Sequence, residues 1–420
     1  MGEKKHKSTL SNILYLGAMQ ITNYLVPILI IPILINRVGL EKYGLIALAQ
    51  GVMNILVTIT EYGTNLTGTR YISQEESNPS KLRGFVSQII SLRAFLLVVV
   101  FMVFALLVYL VPSWRTAYFL FLSSYLIVVA QAVFPIWYFQ GIQKMQFITL
   151  INFLARILYI VAIWVFISSE DHYHYVNLIN GICWIVTTGF GFTIMTSKIG
   201  LRNLKLSFHH VKQGLKENYP IFLSRIATTG YRNGVIVMAG FILGPTMLGV
   251  YSIIDKIVSL MATTNAVLFR ALLPKASALA KKGVKPLRGY LLRVIRVVFP
   301  TAILASGSIF FLGEWVIQSL SGYFSKFEVI GGPYLPFLAV IPTLLVVNLP
   351  LGLSLIALQK NKQYFQYHFA ALLAIVPLVL FLGTSYQLEG ILTGVILAEM
   401  VMIFFGSALL ARLNFFSEPN

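Results

Sequence analysis

Five basic side chains, Arg93, Arg156, Arg225, Arg232 and Lys256, fall inside long apolar stretches of this 420-residue chain. A charge at bilayer depth costs at least about 2.5–3.5 kcal/mol, so such groups face a partner or a water-filled cavity. The clear acidic groups in the same stretches are Asp255 and Glu399, which leaves three positive charges in excess. Glu61 and Glu217 fall at the ends of apolar stretches and read as interfacial; counting Glu61 still leaves an excess of two. A cationic interior in a low-dielectric wall attracts anions, and arginine's planar fork of donors suits phosphate. The chemistry these residues fit is the binding of a phosphate- or carboxylate-bearing cargo.

Spacing groups them further. Arg225 and Arg232 are two helical turns apart, on one face of a helix with Thr228 and Thr229 near the same stripe. The next stretch turns back near Gly244-Pro245, which brings Asp255 to the depth of Arg232 and predicts an ion pair between them. Lys256 points about 100° away from Asp255, which leaves it to a ligand. Amides extend the polar lining: Gln20, Asn23 and Tyr24 in the first stretch, Gln50 and Asn54 in the second, Asn152 and Arg156 in the fifth, the last two pairs four residues apart. The alternative for each amide is a structural hydrogen bond between helices.

Other chemistries lack their residues. No GxxxxGK[ST] loop is present to cradle a nucleotide. His172 and His174, and His209 and His210, stand without the cysteines or spacing of a metal site. Cys183 is alone in an apolar setting and reads as an inert thiol. A membrane glycosyltransferase or polymerase should carry a large outer loop with carboxylates, yet the outer links offer only Glu41, Glu170, Asp171 and Glu328, with Glu314 and Glu389 near helix ends. No catalysis is expected.

The elements that must position these residues are twelve apolar spans: 11–36, 43–68, 84–112, 115–140, 146–168, 174–197, 218–243, 246–269, 293–320, 333–358, 363–383 and 388–411. Each is long enough to cross about 30 Å of hydrocarbon as a helix. A bilayer offers nothing to unpaired backbone groups, so the fold class is all-α and integral to the membrane. The first apolar run is too long for a signal peptide and is expected to stay as the first helix. With the N-terminus inside, twenty-three of the 32 Lys and Arg fall in inner segments and four (Arg37, Lys42, Arg115 and Lys326) in outer links. That asymmetry predicts both termini on the cytoplasmic side of an inner membrane. The net charge of +18 then belongs to membrane lipids and topology rather than to nucleic acid.

The chain also echoes itself. Residues 38–70 align with 243–275 at an offset of 205, pairing Val38-Gly39 with Leu243-Gly244, Tyr43-Gly44 with Leu248-Gly249, and Arg70 with Lys275. Gln143-Lys144 meets Gln359-Lys360 at an offset of 216. Six spans per copy is an even number, so the reading is two six-helix bundles, 1–205 and 206–420, related by an axis along the membrane normal around a central cationic cavity.

Three segments carry a family resemblance: Gly39-x-x-x-Tyr43-Gly44; Glu61-Tyr62-Gly63-x-Asn65-Leu66-x-x-x-Arg70-x-Ile72-Ser73; and Pro135-x-Trp137-Tyr138-Phe139-Gln140-Gly141-x-x-x-Met145. They resemble the polysaccharide-biosynthesis exporters, more narrowly the O-antigen and oligosaccharide-lipid flippases (Wzx type) of the multidrug/oligosaccharidyl-lipid/polysaccharide superfamily. The resemblance implies alternating access that moves an undecaprenyl-diphosphate-linked oligosaccharide from the cytoplasmic to the outer leaflet of a bacterial inner membrane. It implies no cofactor, coupling to an H+ or Na+ gradient with Asp255 and Glu399 as candidates, and partnership with polymerase and chain-length proteins of the same pathway. Arg156, Arg225, Arg232 and Lys256 would hold the diphosphate, with Arg93, Asn23, Gln50, Asn54 and Asn152 lining the path. The rivals are a drug/cation antiporter of the same superfamily, which should prefer an acidic cavity, the membrane glycosyltransferase or polymerase, and a structural membrane protein.

Overall fold

The computed structural model describes residues 2–75, 79–200, 206–321, 332–413 and 415. Every element among them is helical: α1 (Gly2–Glu61), α2 (Thr64–Glu75), α3 (Pro79–Leu110), α4 (Pro112–Arg115), α5 (Tyr118–Val133), α6 (Ile136–Gly141), α7 (Met145–Phe166), α8 (Tyr175–Ile199), α9 (Phe208–Ile242), α10 (Pro245–Ala280), α11 (Val284–Ser321), α12 (Leu335–Ala357) and α13 (Asn361–Arg412), with short 3-10 turns before α8 and α12. Among the described residues, nine helices are long and apolar enough to cross a membrane. The protein is an integral membrane protein.

Two of those helices are each a pair joined across a break. Gly39 interrupts α1 at φ 82°, between the first two predicted spans. Tyr386 and Gln387 interrupt α13 between the last two. The seventh predicted span lies in α9, whose polar residues keep it outside the nine. Its lower hydropathy is the price of Arg225 and Arg232.

Three readings of the sequence need correction. The second span does not run to 68: Tyr62 (φ 45°) and Gly63 (φ 76°) take left-handed conformations that end α1, and α2 starts afresh at Thr64. A Cβ on Gly63 would sit 2.8 Å from Ile221 Cγ2, so both the backbone and the space call for glycine. The fourth span is broken at Phe134-Pro135, where Pro135 cannot donate to the preceding turn, into α5 and α6. The basic link 270–292 is not a loop: α10 continues to Ala280, and α11 begins at Val284 after a three-residue turn closed by Gly283 at φ 120°. Arg202, Lys205, Lys326 and Glu328 lie outside the described residues.

Packing divides the chain into two compact units, Met1–Thr229 and Gly230–Asn420. In the first, the second and third of the segments that carry the family resemblance pack on each other. Trp137 lies against Gly68, Ile72 against Gly141, and Thr69 Oγ1 donates to Gln140 Oε1 at 3.0 Å. A Cβ on Gly141 would meet Ile72 at 2.5 Å, so these glycines allow α2 and α6 to touch along their backbones. In the second unit, Tyr367, Leu353, Leu355, Leu287 and Leu410 form the centre of the core.

The repeat is visible in local geometry. Gln143 (φ 55°) and Gln359 (φ 59°) are both left-handed. The following lysine N–H reaches back to the helix in each case, Lys144 to Phe139 O and Lys360 to Leu355 O, both at 2.9 Å. The same helix-ending turn thus closes α6 and α12.

Candidate functional site

The residues picked out in the first unit differ in how far the fold itself occupies them. Arg93, on α3, is buried and saturated. Its Nε and Nη2 donate to Thr64 Oγ1 at 2.9 and 2.8 Å, Nη2 also to Asn65 Oδ1 at 2.7 Å, and Nη1 to Ala132 O at 2.9 Å. The guanidinium therefore ties the restart of the chain after Gly63 to the end of α5, just before the Pro135 break. The sequence reading counted Arg93 among the path-lining residues because it falls inside an apolar span.

Gln50 Nε2 donates to Asn177 Oδ1 at 2.9 Å, and Asn177 Nδ2 donates to Ser124 Oγ at 2.9 Å, which joins α1, α8 and α5. Asn152 Nδ2 bonds back to Ile148 O at 2.8 Å. Asn54 is exposed on α1, and the Asn23 side chain lies outside the described residues. Arg156 stacks over the Trp184 ring at 5.7 Å, and its Nε is buried with no hydrogen-bond partner. Asn180 Oδ1, one helical turn from Trp184 on α8, is likewise buried and unpartnered.

Arg37, read as a topology marker, has a structural task as well. Its Nη1 donates to Ile163 O, Trp164 O and Ile167 O at 3.1, 2.6 and 2.5 Å at the end of α7, where Ile163 O also accepts from Ile167 N–H.

Helix α9 begins in polar contacts and ends with the predicted arginines. Glu217 accepts from Gln88 and Gln213, each at 2.8 Å, and Thr67 Oγ1 donates to Asn218 Oδ1 at 2.6 Å. Tyr62 stacks on Phe222 with ring centroids 4.3 Å apart. Beyond these anchors Arg225, Thr228 and Arg232 are all exposed, on the one face their spacing requires. Among the described residues neither arginine makes a hydrogen bond or an ion pair. Arg225 belongs to the first unit and Arg232 to the second, and each exposed guanidinium keeps donors suited to an anion's acceptors.

In the second unit the predicted Arg232–Asp255 ion pair is not formed as a direct contact. Asp255 is half-buried on α10, Arg232 turns outward, and the positive charges of Lys256 and Arg232 act on the carboxylate through space. Lys256, set aside for a ligand on angular grounds, is also half-buried. Glu399 is buried on α13, where it accepts from Tyr231 Oη and, at 2.5 Å, from Asn348 Nδ2. Asn348 Oδ1 in turn accepts from Tyr367 Oη at 2.6 Å. The sequence reading missed Tyr231, Asn348 and Tyr367. An asparagine within the apolar run of α12 was the available signal, and the tyrosines gave none because their rings suit an apolar helix equally well.

The family model described as "Polysaccharide biosynthesis protein" matches residues 9–280, which holds every resemblance segment. The chain belongs to this family. Within it, a protein of Escherichia coli (strain K12) named "Putative O-antigen transporter" is 27% identical over 267 residues, and the match spans 64% of each chain. A protein of the same name from Shigella dysenteriae is 21% identical over 400 residues, covering 94% of this chain and 98% of its own. Among solved structures, an inward-facing multidrug resistance MATE family transporter of the MOP superfamily aligns with a TM-score of 0.70 at 15% identity, covering 94% of this chain and 96% of the other. The lipid II flippase MurJ, in an inward closed conformation, also aligns at 0.70, with 18% identity, covering 96% of this chain and 87% of the other. The family member thus has the fold of these transporters.

Proposed function

We propose that this protein carries an undecaprenyl-diphosphate-linked oligosaccharide, an O-antigen repeat unit or similar, from the cytoplasmic to the outer leaflet of a bacterial inner membrane. The observation that carries the reading is the exposure of Arg225 and of Arg232 on α9, with no carboxylate hydrogen-bonded to either among the described residues. A diphosphate supplies the charges and acceptors that two guanidiniums require. The names of the Escherichia coli and Shigella dysenteriae relatives support the cargo class.

In this proposal Lys256 and Arg156 assist with the diphosphate and any acidic sugar, and two six-helix bundles, divided at 205/206, alternate access around them. Both termini are cytoplasmic, the protein acts without a cofactor or catalytic step of its own, and polymerase and chain-length proteins act after it. Asp255 and Glu399 are the coupling candidates. The buried Glu399, with donors from Tyr231 and Asn348, has the setting of a carboxylate that exchanges H+ or Na+. A cargo shifts the equilibrium between the two access states only through unequal contacts in them.

Depleting the protein should accumulate the lipid-linked oligosaccharide on the cytoplasmic leaflet and remove surface polysaccharide. Arg232→Ala should reproduce this at normal protein levels, with transport reduced by about tenfold or more, the effect of losing a buried or cavity charge contact. Wild-type surface polysaccharide in the Arg232→Ala strain would overturn the assignment.

A further inference from the structure

Two predicted spans of the first unit are broken, and the two breaks are built alike. Helix α1 closes with Tyr62 N–H donating to Thr58 O at 3.2 Å, and α2 opens with Leu66 N–H donating to Gly63 O at 3.1 Å. Helix α5 closes with Phe134 N–H donating to Ala130 O at 3.1 Å, and α6 opens with Tyr138 N–H donating to Pro135 O, also at 3.1 Å. The residues between have left the helix: Tyr62 and Gly63 are left-handed, and Phe134 is extended. A few such positions at the ends of elements are where a chain absorbs the dihedral change of a hinge.

The pieces beyond the breaks are fastened to each other. Thr69 Oγ1 of α2 donates to Gln140 Oε1 of α6 at 3.0 Å. A Cβ on Gly68 would lie 3.1 Å from Trp137, and one on Gly141 would lie 2.5 Å from Ile72. Contacts this close make the two helices transmit displacement as a unit. One side chain of α3 reaches both breaks. The Arg93 guanidinium donates to Thr64 Oγ1 at 2.8 and 2.9 Å and to Asn65 Oδ1 at 2.7 Å, where α2 starts, and to Ala132 O at 2.9 Å, where α5 ends. Beside the second break lies a cavity of about 120 Å³, lined by Arg93 and Leu97 of α3, Pro135 and Trp137 at the break, and Phe192 and Met195 of α8.

We infer that α2 and α6 turn as one body about Tyr62-Gly63 and Phe134-Pro135, with Arg93 as the pivot and the cavity as the space that Trp137 enters. The turn reaches α9. Thr58, before the first break, pairs its hydroxyl with that of Thr229 at 3.0 Å, and Thr67, after the break, donates to Asn218 Oδ1 at 2.6 Å. Swinging α2 against α1 therefore tilts the stretch of α9 between those anchors, which carries Arg225. The inference rests on the packing of the first unit and stands whatever the cargo is.

Spin-label distances in the purified full-length protein in detergent test it. Ser73 on α2, Lys144 just after α6 and Tyr118 at the far end of α5 are all exposed. Each is replaced by cysteine, two at a time, in a Cys183→Ala background. Double electron–electron resonance should show two populations for the Ser73–Tyr118 pair and for the Lys144–Tyr118 pair, in the same proportion. The Ser73–Lys144 pair, read by short-range dipolar broadening, should give a single distance. Leu97→Trp, which fills the cavity, should remove the second population from both long pairs; Ala94→Phe, from the same wall, serves if that variant fails to fold. A single population for either long pair before filling, two distances within the Ser73–Lys144 pair, or a folded filled variant that keeps both populations overturns the inference.

Discussion

Replacing Arg93 by methionine separates a residue that holds the fold from one that holds cargo. The substitution keeps much of the side chain's bulk and removes four hydrogen bonds, two to Thr64 Oγ1, one to Asn65 Oδ1 and one to Ala132 O. Bonds to a charged donor contribute roughly 1.5–3 kcal/mol each, for a gross loss of about 6–12 kcal/mol. Against this stands the relief of no longer desolvating a guanidinium, several kcal/mol for an ion in an apolar setting. The net expectation is a loss of about 3–5 kcal/mol, the usual result of removing one side of a buried charged network. Arg93→Lys should fall between, because an ammonium cannot reach Thr64, Asn65 and Ala132 together in the planar arrangement the guanidinium uses. The assay is unfolding of the purified protein in mixed micelles of rising SDS fraction, followed by far-UV circular dichroism, beside surface polysaccharide in cells. An Arg93→Met protein as stable as wild type that fails in transport would refute the structural role and return Arg93 to the cargo path.

Three further outcomes follow from the same geometry. Gly63→Ala should cost about 2–3 kcal/mol, from a left-handed backbone and a Cβ set 2.8 Å from Ile221 Cγ2, and the same unfolding assay reads it; an unchanged midpoint would mean that the break after α1 tolerates another conformation. Glu399→Gln should leave the fold intact, since an amide oxygen can still accept from Tyr231 or Asn348, but should abolish the response of transport to an imposed H+ or Na+ gradient; a mutant that still follows the gradient would remove Glu399 from coupling. In a Cys183→Ala background, cysteine at Ser169 should react with an impermeant maleimide on intact cells and cysteine at Lys282 only after permeabilisation, and the reverse pattern would invert the proposed topology.

The helical, membrane-integral character of this protein was legible in the sequence because it follows from local quantities. Runs of about 20 apolar residues leave the backbone no alternative to helix in hydrocarbon, and α3, α7, α8 and α12 begin and end within a few residues of the predicted spans. The shared face of Arg225 and Arg232 needed nothing beyond helical periodicity, and the paired Gln-Lys steps at 143 and 359 already marked two copies of one turn. Where a helix breaks without leaving the apolar run was less legible. Pro135 signalled one interruption, but at the left-handed Tyr62-Gly63 break the space for a Cβ on Gly63 is taken by Ile221, which is 158 positions away in sequence. What each charge does was decided by tertiary structure alone. Arg93 and Arg232 are the same residue type, each within a predicted span, yet one is closed in by Thr64, Asn65 and Ala132 and the other is left exposed. The cost of burying a guanidinium depends on acceptors brought from other helices, and periodicity along one helix carries no information about them.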